Sequence, residues 1–144
     1  MSAKETSNKS MFTRDQRRAQ FAWEFVEKNL DGLGPKDFAK ACKNASSRIM
    51  NAGLGGALAF AISKSGEGNT EKMKYDRVAK ALARHLGRTS EEKEKPRTYL
   101  GALIKKEAME LRADTDEAMA VLQWLARIAE GKAIESGDEG SSDE

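Results

Sequence analysis

The chain has 144 residues, with 25 basic and 23 acidic residues and a formal net charge of +2, and this length predicts one domain with a proper hydrophobic core. No apolar run reaches the roughly 18–20 residues that span a bilayer, and the polar first ten residues predict no secretory signal peptide. The single cysteine argues against a disulfide framework or a cysteine-rich metal site, so we expect a soluble protein of the reducing cytoplasm, with no membrane partner.

Helical signals dominate the chain, and no segment alternates between apolar and polar residues with period two. We therefore predict an all-α fold, a compact bundle of five to six helices. Thr13 and Gln16 form a capping-box pair at the start of the first helix. The predicted helices cover residues 14–30, Pro35 to about Ile49, 54–65, 70–86, 97–109 and 112–130, and a polar loop covers 87–96.

The stretch "NAGLGGALAFAISKS" (51–65) contains three glycines in four positions. It imitates a dinucleotide-binding loop, but Leu58 stands where that motif needs a small residue and no strand precedes it. Gly53, Ala57 and Ala61 recur at i, i+4 and i+8, which predicts a small-residue face where two helices approach closely. Gly53 also suits the end of the second helix, where φ can be positive.

Residues with catalytic chemistry are few. His85 is the single histidine and Cys42 the single cysteine. We interpret His85 as structural, and Cys42, on the apolar stripe of the second helix, as a buried inert thiol. Without further ligands there is no zinc site. The sequence therefore predicts a protein that is not an enzyme and has no catalytic residue, metal or cofactor.

Basic residues recur at helical spacings. Arg14, Arg17 and Arg18 crowd the start of the first helix, where the positive end of the helix dipole disfavours cations. Two later helices each carry a stripe of basic residues along one face, and like charges at this spacing repel mildly. Such an arrangement favours binding to an external polyanion, although an ordinary solvent-exposed face explains any one stripe equally well. The stripes are Lys36, Lys40 and Lys43 on the second helix, and Arg77, Lys80, Arg84 and Arg88 on the fourth.

The end of the chain has the opposite charge. Residues 133–144, "AIESGDEGSSDE", hold five acidic residues and no basic residue, which leaves 25 basic against 18 acidic residues in 1–132. This composition predicts a disordered acidic tail over 133–144. Its role stays open between a solubilising segment and a nucleic-acid mimic that screens the basic body. The predicted organisation is a flexible N-terminus (1–13), a helical-bundle domain (14–132) and the tail.

Three blocks of the sequence resemble one known family. They are "RRAQFAWEFVEK" (17–28), the glycine-containing block 51–65, and "LRADTDEAMAVLQWLARIAEG" (111–131). Their order and spacing resemble those of the small subunit of the type III-B CRISPR effector (Cmr) complex over about residues 14–131. The resemblance implies a non-catalytic helical subunit that stacks in several copies beside the duplex of guide RNA and target RNA. Other subunits of the complex carry out cleavage and nucleotide cyclisation.

The resemblance and the basic residues together predict contacts to the RNA backbone, because an A-form duplex is read through its shape and phosphates. Trp23 and Trp124 sit at core spacing, so base stacking is the minor interpretation for both. Arg127 fits RNA binding and an internal salt bridge equally well. The predicted RNA-binding residues are Arg14, Arg17, Arg18, Lys36, Lys40, Lys43, Arg48 and Lys64.

Two other hypotheses stay open. A protein–protein adaptor, for example the small subunit of the type III-A complex, would pair its basic stripes with acidic partner subunits. A DNA-binding regulator ranks below it, because no helix-turn-helix spacing is found. Salt-dependent binding to RNA of any sequence distinguishes the RNA-binding subunit from the adaptor.

Overall fold

The computed structural model describes residues 12–87 and 91–137 of the chain. Within them the fold is all-α, as predicted, with five α-helices, one short 3₁₀ helix and no strand. The 3₁₀ helix, Glu91–Glu94, lies in the predicted loop between α3 and α4. The α-helices are α1 (Arg14–Lys28), α2 (Pro35–Lys64), α3 (Thr70–Leu86), α4 (Pro96–Leu103) and α5 (Ala108–Glu135).

The predicted capping box opens α1. The Gln16 backbone N–H donates to Thr13 Oγ1 at 2.9 Å, and the Thr13 backbone N–H donates to Gln16 Oε1 at 2.8 Å. These two bonds satisfy donors that a helix start leaves unpaired. α1 ends two residues before the predicted position, because Asp31 (φ 50°) and Gly32 (φ 96°) turn the chain towards α2.

The second and third predicted helices are the two arms of α2, which meet at Gly53. Gly53 has φ 83° and ψ 163°, a conformation outside the helical region that side-chain-bearing residues rarely adopt. The predicted positive φ is therefore confirmed, but the predicted packing role of Gly53 is wrong. A Cβ at Gly53 would meet nothing within 4 Å, whereas Ala57 and Ala61 are buried as expected.

The last two helices differ most from their predicted bounds. α4 ends at Leu103 rather than 109, and Glu107, in extended conformation, precedes an α5 that starts four residues early. Gly131 does not end α5. A glycine inside a helix costs only about 0.5–1 kcal/mol, which the buried Ala129 and Ala133 offset. α5 thus continues to Glu135, into the segment predicted as a disordered tail, and residues 138–144 lie outside the described residues.

The core lies where α2 packs against α5 and α3, with α1 against α5. Phe25 of α1 stacks on Phe38 of α2 with ring centroids 5.8 Å apart. Cys42 is fully buried, and burial raises the pKa of its thiol, which fits the inert role that the sequence predicts. Among the described residues, no helix is long and apolar enough to cross a bilayer.

Candidate nucleic-acid interface

The eight residues predicted to bind RNA fall in three places. Arg14, Arg17 and Arg18 lie on the first turns of α1, and the three lysines lie on the N-terminal arm of α2. Arg48 and Lys64 meet near Phe60, which the C-terminal arm of α2 carries. The three places differ in how much of their charge is already engaged by the protein itself.

Arg18 faces the interior of the bundle. Its Nε and Nη2 donate to the two carboxylate oxygens of Glu117 at 2.9 and 2.8 Å, and Nη1 donates to Asp15 at 3.1 Å. His85 Nε2 lies 2.7 Å from the same Glu117 carboxylate. We call Arg18, His85 and Glu117 the Glu117 cluster; it joins α1, α3 and α5.

Glu117 is held in its charged form by this cluster. The Arg18 guanidinium, and after it His85, lower the pKa of Glu117 from 4.5 to about 2. The Arg18 side chain is only 17% exposed. A bidentate, charge-assisted pair of this kind is among the stronger hydrogen-bonded contacts in proteins. Arg18 therefore stabilises the fold through Glu117, and its guanidinium is less accessible to an RNA phosphate than those of its neighbours.

Arg14 and Arg17 point the other way, into open grooves on the outside of the bundle. One groove, between α1 and α3, is lined by Arg17, Phe21, Trp23 and Arg84. A second, lined by Arg14 and again by Arg17, adjoins it beside His85. We call this surface the α1–α3 groove. Arg14 makes no ion pair with any described residue, and Arg17 donates to the Phe12 carbonyl at 3.2 Å.

Arg84 belongs to this groove, although the sequence analysis left it out of the predicted RNA-binding residues. Its guanidinium lies 5.7 Å from the Phe25 ring centroid, and it has no carboxylate partner among residues 12–87 and 91–137. The sequence analysis placed it only on the α3 stripe with Arg77, and because Arg77 is itself buried, that spacing is no signal for the groove. Arg84 supplies a cation across the groove from α1.

Arg77 itself is the main error in the predicted stripe on α3. It is 1% exposed, and its Nε donates to the Leu30 carbonyl at 2.8 Å. Its other nitrogens bind Glu67, Asp76 and the Asp31 carbonyl. Hydrogen bonding to Glu67 and Asp76 raises the pKa of Arg77. The residue fastens the α1–α2 turn to α3 and is not available to a partner.

The rest of that stripe is also divided. Lys80 pairs with Asp76 at 3.1 Å, and Arg88 lies outside the described residues. A face that looks continuous in the sequence therefore combines an internal ion-pair network and the single groove cation Arg84. Helical spacing groups residues on one side of a helix, but whether that side meets solvent depends on what packs against it.

The lysine face of α2 is partly engaged. Lys43 forms an ion pair with Glu130 of α5, Lys36 is half-buried, and Lys40 is exposed. Exposed pairs such as Lys43–Glu130 contribute little to stability, so a polyanion could compete for the lysine.

Arg48 and Lys64 both lie over the Phe60 ring. The guanidinium carbon of Arg48 is 3.9 Å from the ring centroid, and Lys64 Nζ is 5.7 Å away. Such cation–π contacts are worth about 0.5–1 kcal/mol at exposed sites and leave the positive charge in place. Both residues can therefore hold their position on the ring and still contact an anion.

The two tryptophans differ from each other. Trp124 is half-buried, and its Nε1–H donates to Asp15 at 3.0 Å. Trp23 is 59% exposed at the edge of the α1–α3 groove, so its predicted place in the core is wrong. The buried stripe of α1 is Ala22, Phe25 and Val26.

Arg127 is exposed beside Trp124 and makes no salt bridge with any residue that the structure describes. It also lines the groove between α2 and α5, with Lys43 and Met50. The sequence left RNA binding and an internal salt bridge open for Arg127, and no such salt bridge is found among the described contacts.

Metal binding is a separate question. Among the described residues, no group of three or more histidine, cysteine or acidic side chains is arranged to hold a metal ion.

Comparison with known families decides the affiliation of the chain. A family model described as "CRISPR-associated protein (Cas_Cmr5)" matches residues 14–132. The chain belongs to the Cmr5 family. That match covers all five helices up to the last turn of α5.

A solved structure agrees with this result. The chain is similar to a crystal structure of a CRISPR-associated Cmr5 family protein from Thermus thermophilus, with 26% sequence identity and a TM-score of 0.64. The match covers 82% of this chain and 98% of that one. A comparison with curated proteins finds no match.

Membership in the Cmr5 family confirms the resemblance to the small subunit of the type III-B CRISPR (Cmr) complex. It also identifies the general class of partner, the other subunits of a CRISPR effector complex. Within residues 12–87 and 91–137, the predicted RNA-binding residues that stay at the surface form the α1–α3 groove, the lysine face of α2, and the pair of Arg48 and Lys64 at Phe60.

Proposed function

We propose that this protein is a non-catalytic subunit of a type III-B effector complex that stacks in several copies and binds the backbone of guide and target RNA. The α1–α3 groove is the main RNA surface, with Arg14, Arg17 and Arg84 contacting phosphates. The lysine face of α2, together with Arg48 and Lys64, extends this surface. The observation that carries the proposal is that cations from two helices converge on one open groove of a Cmr5-family chain.

The electrostatics of the groove favour an anion. Two carboxylates line the part of the groove that contains Arg14, and both already have cationic partners, Arg18 for Glu117 and Lys106 for Asp114. The N-terminus of α1 adds the positive end of its helix dipole at the same place. Helix N-termini and clustered cations together are a common way for proteins to hold phosphate.

The role we propose needs no base readout. Base edges in an A-form duplex lie in a deep, narrow groove, so side chains reach mainly phosphates and 2′-hydroxyls. Pairing with the guide supplies sequence specificity in RNA-guided complexes. Cations fixed on helices are sufficient for the remaining task, which is to hold the backbone.

A non-catalytic role is supported by the state of the two reactive side chains. His85 is 5% exposed and bound to Glu117, so its ring is part of the fold. Cys42 is buried with a raised thiol pKa, which disfavours the thiolate that a nucleophile needs.

The test is a titration of the purified chain with a short A-form RNA duplex at several salt concentrations. The double substitution Arg14→Glu with Arg84→Glu should weaken binding and flatten the salt dependence, by about 0.7–0.9 in slope for each phosphate that is no longer neutralised. The matched control is Arg97→Glu with Lys105→Glu, which reverses two exposed cations that line neither part of the groove. Equal affinity of both double variants would contradict the proposed surface.

A protein–protein adaptor is the second candidate, and the exposed apolar side chains favour it. Met50, Ile104 and Met109 are 74%, 70% and 85% exposed in the isolated chain. Large exposed apolar groups are typical of surfaces that meet other subunits. Both roles are compatible within one complex. If the wild-type chain shows no salt-dependent RNA binding, either alone or in the assembled complex, the adaptor role remains as the function.

A further inference from the structure

We propose that Trp23 is a stacking platform for an unpaired base of the bound RNA. This inference rests on the proposed function and deepens it, because it adds a base contact to phosphate binding in the same groove. Among the described residues, Trp23 is the most exposed aromatic side chain, with 59% of its surface accessible.

The Trp23 indole is not part of the hydrophobic core. The buried face of α1 consists of Ala22, Phe25 and Val26, each at most 2% exposed. The indole N–H of Trp23 has no hydrogen-bond partner within residues 12–87 and 91–137, whereas that of Trp124 donates to Asp15. Neither core packing nor a hydrogen bond among the described residues therefore explains the position of the Trp23 indole.

The groove around Trp23 combines an aromatic face with positive charge. Arg17 and Arg84 line the same groove, and Phe21 forms part of its floor with its ring centroid 4.9 Å from that of His85. Glu24 is the one carboxylate in the part of the groove around Trp23, whereas Asp114 and Glu117 line the part that contains Arg14. A cationic groove with an exposed aromatic ring is the usual arrangement for single-stranded nucleic acid, because the backbone follows the charges while a base stacks on the ring.

The same surface is a poor seat for an apolar protein segment. Covering it would desolvate Arg84, which has no carboxylate partner among the described residues, and burying an unpaired charge is costly. An RNA strand supplies both a phosphate for the arginine and a π-face for the indole. The base must be unpaired, because the faces of paired bases in a duplex are already stacked.

The experiment compares two probes with equal numbers of phosphates: a uridine oligonucleotide of roughly ten residues, within the site size of such grooves, and an abasic oligonucleotide of the same length. Trp23→Ala should weaken binding of the uridine probe by about 5- to 100-fold. It should change the affinity for the abasic probe by less than about twofold, since the phosphate contacts remain. Quenching of tryptophan fluorescence by the uridine probe should disappear in the same variant.

Two further variants make the result specific. Trp23→Phe keeps a smaller π-face and should recover part of the lost affinity. Trp124→Phe removes the other indole, which is hydrogen-bonded to Asp15, and should leave the preference for the uridine probe unchanged. Thermal unfolding of each variant verifies that the bundle remains intact.

The outcomes separate the two proposals. Equal affinity of wild type and Trp23→Ala for the uridine probe, with salt-dependent binding retained, overturns the stacking inference and leaves backbone binding standing. Equal weakening of both probes also overturns it, because the effect would then not depend on the base. Absence of binding to either single-stranded probe by wild type overturns the stacking inference, and the duplex titration then decides on backbone binding by itself.

Discussion

Arg17 and Arg18 are adjacent in sequence, yet they belong to two different regions of the molecule. Arg17 lines the solvent-filled α1–α3 groove, while Arg18 lies in the Glu117 cluster, with two bonds to Glu117. A third arginine, Arg77, resembles Arg18: it is buried and bound to carboxylates and backbone carbonyls. The comparison shows that arginine supports both the fold and the proposed interface here, and that the helix face decides between them.

The largest effect is expected at Arg77. Arg77→Met should lower the free energy of unfolding by about 3–5 kcal/mol, because it removes the hydrogen bonds of a buried guanidinium to Glu67, Asp76 and the Leu30 and Asp31 carbonyls. The control is Lys80→Met, which removes a half-exposed partner of the same Asp76 and should cost less than about 1 kcal/mol. Urea denaturation followed by circular dichroism measures both. Similar losses in the two variants would show that Arg77 is an ordinary surface cation.

The neighbouring arginines give the most direct comparison. Arg18→Met should cost about 2–3 kcal/mol of stability, since charge-assisted bonds to Glu117 are lost, whereas Arg17→Met should change it by less than about 0.5 kcal/mol. A double-mutant cycle with Glu117→Gln should give a coupling energy between about 0.5 and 3 kcal/mol for Arg18. A coupling near zero would place Arg18 with Arg17 in the groove.

Acid should weaken the Glu117 cluster. The pKa of Glu117 is depressed from 4.5 to about 2, so this carboxylate stabilises the fold above its unfolded pKa. That contribution, about 2 kcal/mol once screening by solvent is allowed for, is lost as pH falls from about 5 towards 2. Denaturation of wild type and Glu117→Gln should therefore show their stabilities converging in this range. Parallel curves would mean that Glu117 has an ordinary pKa.

The smallest effect is expected at Arg14 and has the opposite sign. Arg14 lies at the first position of α1, where the helix dipole disfavours a cation, so Arg14→Gln should stabilise the chain by about 0.3–1 kcal/mol. The same variant should bind RNA more weakly. Thermal unfolding and an RNA titration on one preparation test both parts. Destabilisation together with unchanged RNA affinity would move Arg14 out of the groove and into the fold.

The sequence predicts the elements well because helix starts have local signals. Thr13, Pro35 and Asn69 open helices at the expected places, through side-chain caps or a fixed φ. The boundary between α4 and α5 was harder, since it depends on how the short α4 packs. Gly131 shows the same limit: its local preference to end a helix is outweighed by the burial of its neighbours.

The proposed interface was only partly predictable. Arg18 stands four and seven residues before Ala22 and Phe25, both buried, and this spacing is a signal that it faces inwards. The segment "FAWEFV" (21–26) carries five apolar residues in six positions, so two adjacent faces fit the helical period and the pattern alone does not exclude Trp23 from the core. Which face of α1 is buried depends on tertiary packing, because α5 and α3 cover one face and leave the other open to solvent.

The burial of Cys42 has a practical consequence for chemical labelling. The chain contains one cysteine, fully enclosed and with a thiol pKa raised by burial, so thiol reagents should leave the folded protein unmodified. A second cysteine placed on the surface would be the one reactive thiol of the molecule. The natural sequence is thus ready for a dye, spin label or crosslinker at a chosen position, without first removing a native residue.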